Sequence, residues 1–137
     1  MPRIAGTELV AGRFYPVLSV TLRLPGGSPH PMLAIVDSGA DRTSVPAEFL
    51  TGTPIDHATL PIIPGTNAGA GGIFEARLCD CEIWYEKWKV CDRFVVIEPG
   101  KMPMPIVLLG RDDFFRRFTV SFDWSKSPPV FDVKRNK

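Results

Sequence analysis

The stretch Ala34-Ile35-Val36-Asp37-Ser38-Gly39-Ala40-Asp41-Arg42-Thr43-Ser44-Val45 decides how this chain is read. An apolar run carries the backbone inward and stops at a carboxylate. A small hydroxyl residue follows, and then Gly39, which permits a turn that a side chain would block. A lone acid at the end of a buried strand is costly, because desolvation disfavours its charged form unless something stabilises it. An Asp that bonds its own turn amides is the purely structural alternative for such a strand end.

Working outward, residues 15–24 alternate, with Leu18, Val20, Leu22 and Leu24 on one face and Ser19, Thr21 and Arg23 on the other. That pattern predicts a half-buried strand. Pro25-Gly26-Gly27-Ser28-Pro29 signals a turn, so a hairpin into Met32–Val36 is expected. The run 32–36 is apolar throughout and suits a strand covered on both faces. After the acidic loop, Pro46 to Leu50 reads as one helical turn with proline where a missing N–H is harmless. Residues 73–84 and 88–97 read as long strands around a polar turn. Trp84 and Trp88 fit cross-strand packing better than a ligand shelf.

A second fully apolar run, Ile106-Val107-Leu108-Leu109, ends in Gly110-Arg111-Asp112. From Asp112 to Phe118 the signs of a helix agree, with acids first, bases last and three phenylalanines for the core. Thr119–Trp124 alternates again, and 130–133 can return as a final strand. The tally is about eight or nine short strands and one short helix, an all-β class.

Three separated elements resemble, in order, the layout of the retropepsins, the single-domain aspartic proteases of retroviruses and their cellular relatives. They are Asp37-Ser38-Gly39-Ala40-Asp41, the glycine-rich tip Gly69-Ala70-Gly71-Gly72 between extended arms, and Ile106 to Asp112. The resemblance spans residues 15–118 and implies a retropepsin-like acid protease barrel with one short C-terminal helix. Ser38 stands where many relatives carry Thr, and the tail after the helix is longer than in the viral enzymes, whose termini interlace into a dimer sheet.

The resemblance also assigns roles. Asp37 is the catalytic acid, Ser38 hydrogen-bonds across a dimer beneath it, and Gly39 offers its carbonyl to substrate backbone. Gly39, Ala40 and Asp41 line the peptide, Asp41 pairs with Arg111, and Gly69, Ala70, Gly71 and Gly72 form a flap that closes over the peptide. Peptide hydrolysis by two carboxylates needs one ionised and one protonated. The chain has one Asp-Ser/Thr-Gly and so supplies half a site, which points to a homodimer. The competing expectations are a catalytically idle retropepsin-fold module that binds peptide or dimerises, and a hydrolase using His57 or a cysteine thiolate. No G-x-S-x-G and no placed Cys–His pair favours the last.

Composition fits this picture. The 137 residues suit one domain, 1–137, with 1–12 and 134–137 expected as loose termini. A net charge of +1 gives no field to gather nucleic acid or an anionic membrane, so peptide or protein substrate and a second copy are the expected partners. The N-terminus lacks the layout of a signal peptide and no run approaches a membrane span, so a cytoplasmic location is expected. The three cysteines, Cys79, Cys81 and Cys91, are expected as buried free thiols, and no metal or cofactor is implied. Cys79 and Cys81 are placed on one strand face.

Overall fold

A computed structural model describes residues 3–65, 67–69 and 72–137. In chain order the strands are β1 (Ile4–Ala5), β2 (Thr7–Val10), β3 (Arg13–Tyr15), β4 (Val17–Arg23), β5 (Pro29–Val36), β6 (Ser44–Pro46), β7 (Asn67–Gly69), β8 (Gly72–Phe74), β9 (Ala76–Cys79), β10 (Glu82–Tyr85), β11 (Trp88–Cys91), β12 (Phe94–Ile97), β13 (Val107–Leu109), β14 (Phe118–Asp123) and β15 (Val130–Arg135). One short helix, α1 (Phe114–Arg117), precedes β14, and 3-10 turns cover Ala47–Leu50 and His57–Thr59. The all-β class, with a single short α-helix among the described residues, is what the sequence predicts.

The main sheet runs β11-β10-β4-β5-β13-β6-β12-β9. Its hairpin β4–β5 follows the expected alternation: Leu18, Val20 and Leu22 are buried and pair across to Ala34, Met32 and His30. The two fully apolar runs of the sequence are neighbours. β5 and β13 lie parallel, with Val107, Leu108 and Leu109 opposite Ala34, Ile35 and Val36. Parallel pairing deep in a sheet is where continuous apolar runs belong, because both faces are covered. Leu33 departs from that expectation and is 52% exposed.

β9 and β10 sit toward opposite ends of this order, yet only Asp80 and Cys81 separate them in the chain. Three residue steps reach roughly 11 Å at most, so the sheet must curl until its ends approach. The core fills the inside of that curl, with Phe94, Phe114, Phe118, Leu22, Leu50, Ile83, Leu109 and Val96 fully buried.

Several boundaries differ from expectation. The single strand expected over 73–84 is three short ones, and 88–97 is divided at Asp92–Arg93. A continuous strand cannot follow a sheet that turns this sharply. Cys81 consequently lies past the end of β9, which closes at Cys79. Cys79 and Cys91 are buried free thiols, whereas Cys81 is half-buried.

The chain ends, expected to be loose, are built into structure where described. Ile4 and Ala5 pair with Phe131 and Val130 of β15, and Lys134 and Arg135 complete β15 itself. β1, β15 and β14 form a separate three-stranded sheet. Among the described residues no helix is long and apolar enough to cross a membrane.

Candidate active site

Asp37 follows the last residue of β5, and Gly110 follows the last residue of the parallel β13. The Asp37 N–H donates to the Leu109 carbonyl at 3.1 Å, which fixes the loop to the neighbouring strand end. Behind it, Val36 donates to Pro16 at 2.9 Å. Asp37 is half-buried, while Ser38 and Gly39 are exposed. The Asp37 Oδ1 accepts from the Gly39 N–H at 2.9 Å, and Ala40 N–H closes the turn on the Asp37 carbonyl at 3.2 Å. The structural alternative for this acid, a bond to its own turn amide, is thus present on one oxygen. Among the described residues Oδ2 makes no hydrogen bond within that turn.

Two segments cross behind the loop. Arg111 and Asp112 donate their N–H groups to the carbonyls of Ala40 and Asp41, at 2.9 and 2.8 Å. The Arg111 guanidinium donates to Asp41 Oδ1, so the expected pair forms. The pair lies on open surface: the side chains are 56% and 76% exposed.

The buried joint between these segments lies elsewhere and was not foreseen from the sequence. Thr43 is fully buried, and its hydroxyl accepts from the Gly110 N–H at 3.2 Å. Its own N–H donates to Asp113 Oδ2 at 2.7 Å, and its carbonyl accepts from Val95 at 3.0 Å. Asp113, expected as a first-turn helix acid, makes no side-chain cap bond to α1 and turns to Thr43 instead. The crossing is tight at Gly110. A Cβ there would lie 2.4 Å from the Arg42 carbonyl carbon and 2.7 Å from its oxygen, so no side chain fits. α1 is correspondingly shorter than the expected 112–118.

The glycine-rich segment is a hairpin where described. Asn67, Ala68 and Gly69 of β7 pair with Phe74, Ile73 and Gly72 of β8. Ala70 and Gly71, the centre of the expected flap, lie outside the described residues. Ile73 is exposed on this hairpin.

Burial of Cys79 and Cys91 does not favour a nucleophilic role for either. Burial pushes Cys79, beside Cys81, and Cys91 up to about 12, which leaves both as neutral thiols near pH 7. Trp84 packs under the Arg23 guanidinium at 4.4 Å and donates to Glu82, and Trp88 meets Phe118 edge-on at 6.1 Å. Both tryptophans are therefore packing residues.

No protein-family model matches the sequence, and no curated protein matches it. Solved structures do match the fold. A retropepsin-like aspartic protease from Rickettsia conorii aligns over 96% of this chain and 99% of its own, with a TM-score of 0.60 and 16% identity. The EIAV protease complexed with the inhibitor HBY-793 aligns over 72% of this chain and 83% of its own, with a TM-score of 0.51 and 20% identity.

The fold is retropepsin-like.

An acid sits at the end of a parallel strand pair, and its loop is tied to the neighbouring strand by main-chain bonds.

Proposed function

We propose that the protein is an aspartic endopeptidase whose active unit is a homodimer, with Asp37 of each copy forming the catalytic pair. The observation that carries this reading is the placement of Asp37 on a retropepsin-like fold: half-buried at the end of β5, anchored through its N–H to Leu109 and with Oδ2 free of its own turn. One chain holds one such acid, so a complete site needs two copies.

Two carboxylates about 3 Å apart cannot both ionise and share one proton. The ionised member takes a proton from water as the water attacks the peptide carbonyl carbon, and the protonated member hydrogen-bonds the carbonyl oxygen. Collapse of the tetrahedral species breaks the C–N bond and delivers a proton to the leaving amine. Ser38 braces the pair across the dimer, and Gly39, Ala40 and Asp41 bind substrate main chain. The hairpin around Gly69, Ala70, Gly71 and Gly72 closes over the peptide and excludes water. Free thiols at Cys79, Cys81 and Cys91 suit a reducing compartment, which supports the cytoplasm as the place of action.

The test is hydrolysis of a peptide library at acidic and neutral pH by the wild type and by Asp37→Asn. Asn fills the same volume but cannot serve as the base, so turnover should be lost while the dimer and the fold persist. Turnover near wild type in Asp37→Asn would assign Asp37 to its turn alone and leave a peptide-binding or dimerisation module.

A further inference from the structure

A pocket of about 450 Å³ opens between the turn Ala47–Leu50, the loop after it, the turn His57–Thr59 and Pro99, and none of residues 37–41 lines it. Its walls are main chain that is already bonded. The Thr53 hydroxyl donates to the Leu50 carbonyl at 2.7 Å and accepts from the Ile55 N–H at 3.2 Å. Asp56 Oδ1 accepts from the Ala58 N–H at 3.1 Å. Arg77 donates to the Ala58 and Leu60 carbonyls, at 3.0 and 2.8 Å, and gives its Nε and Nη2 to Glu75. The pocket is thus formed without an occupant, and one that enters has little chain to order.

The charges that line it are of one sign. Glu48 and Asp56 are both exposed, and among the described residues no lysine or arginine lines the pocket. Glu48 Oε2 accepts from the Gly100 N–H at 3.3 Å, and Asp56 Oδ1 is committed to its turn. Among the described residues neither carboxylate is in an ion pair. Two such carboxylates alone are an ordinary solvated surface.

The third polar group is not ordinary. His57 lines the same pocket, and its Nε2 is buried with no hydrogen-bond partner. A buried polar atom left unpaired is costly and uncommon. Because the ring borders the pocket, a turn about its Cβ–Cγ bond carries that nitrogen to a donor held there. Leu50, Ile55 and Pro99 add apolar lining.

One chemistry meets all of these groups. It must bring positive charge to two carboxylates, an N–H to an imidazole nitrogen and a methylene stem to the apolar lining. A guanidinium has five N–H donors in a planar fork and no acceptor, on a stem that covers apolar surface. An ammonium carries the same charge at a single point.

We propose that this pocket binds the arginine side chain of a peptide segment, with the guanidinium shared between Glu48, Asp56 and the His57 Nε2. The site does not rest on the protease reading.

The experiment titrates the full chain with N-acetyl-arginine methylamide and follows backbone amides by NMR. Saturable shifts should gather on residues 48–57 and 99–100. The citrulline analogue, which keeps the shape without the charge, should bind several-fold more weakly. Glu48→Gln and Asp56→Asn keep the acceptors for Gly100 and Ala58, and each should weaken the arginine probe several-fold. His57→Phe should weaken it several-fold as well, yet unfold at no lower urea concentration than the wild type, since it discards an unpaired buried nitrogen. The proposal is overturned by citrulline binding equal to arginine, by shifts centred on residues 37–41, by no saturable shift, or by unchanged affinity in any of the three variants. Arginine-dependent shifts in a chain that cleaves no peptide would keep this site and refute the protease. Cleavage without those shifts would do the reverse.

Discussion

Two joints tie the Asp37 loop to the segment entering α1, each across 70 residues of sequence: Asp41 with Arg111, and Thr43 with Asp113. The first is a charge pair on open surface. The second sits beside a fully buried threonine that also receives the Gly110 N–H. An exposed ion pair gains little, because water screens it and two long side chains lose freedom to form it. A buried hydrogen bond gains little over water too, but breaking it leaves a polar group with nothing to bond. The conspicuous pair therefore contributes least to the fold, and the quiet one holds the crossing together.

Three substitutions and one double-mutant cycle can break or sharpen that contrast. Gly110→Ala should be the most damaging, because its Cβ would stand 2.4 Å from backbone that cannot move aside cheaply. A loss of about 3 kcal/mol, at the upper end of overpacking costs, is expected in urea unfolding. A loss near zero would show that Arg42 and Gly110 do not touch. Asp113→Ala removes the carboxylate acceptor of the Thr43 N–H and should cost about 2–3 kcal/mol by the same measurement. Thr43→Val keeps the shape but strips the acceptor from the Gly110 N–H, for about 1–2 kcal/mol. If either change proves neutral, the crossing is held by its main-chain bonds alone.

The smallest effect belongs to the surface pair. A double-mutant cycle with Asp41→Ala and Arg111→Ala should give a coupling of about 0–1 kcal/mol. Coupling of several kcal/mol would mean that the pair is covered in solution, as a dimer partner or bound peptide could cover it.

What was legible in the sequence was what local pattern controls. Alternation gave the β4–β5 hairpin and β14, and two apolar runs gave β5 and β13. The motif from Asp37 to Asp41 marked the loop between them. That Arg111 reaches Asp41 followed from the resemblance, and the two side chains do pair. Burial did not follow, because it depends on what lies above the loop rather than on the residues in it. Thr43 and Asp113 escaped notice for a related reason. A threonine after a turn and an acid before a helix have ordinary local uses, and only the crossing of two distant segments makes them partners. The breaks after Phe74 and Cys79 were equally hidden, since Asp80 and Cys81 carry no strong turn signal and the sheet's curl is a property of the whole. The tight approach at Gly110 had one trace in the sequence, a glycine directly after an apolar strand.

The central claim is that two copies of Asp37 make one catalytic site, and mixing tests it most directly. Wild-type chain is combined with Asp37→Asn chain in equal amounts, allowed to exchange at concentrations where both are dimeric, and assayed for peptide hydrolysis at fixed total protein. Random pairing leaves about a quarter of the dimers with two carboxylates, so activity should fall to about a quarter of the pure wild type. Activity that stays at about one half, in proportion to the wild-type chain present, would mean that each Asp37 works alone and would contradict the shared site.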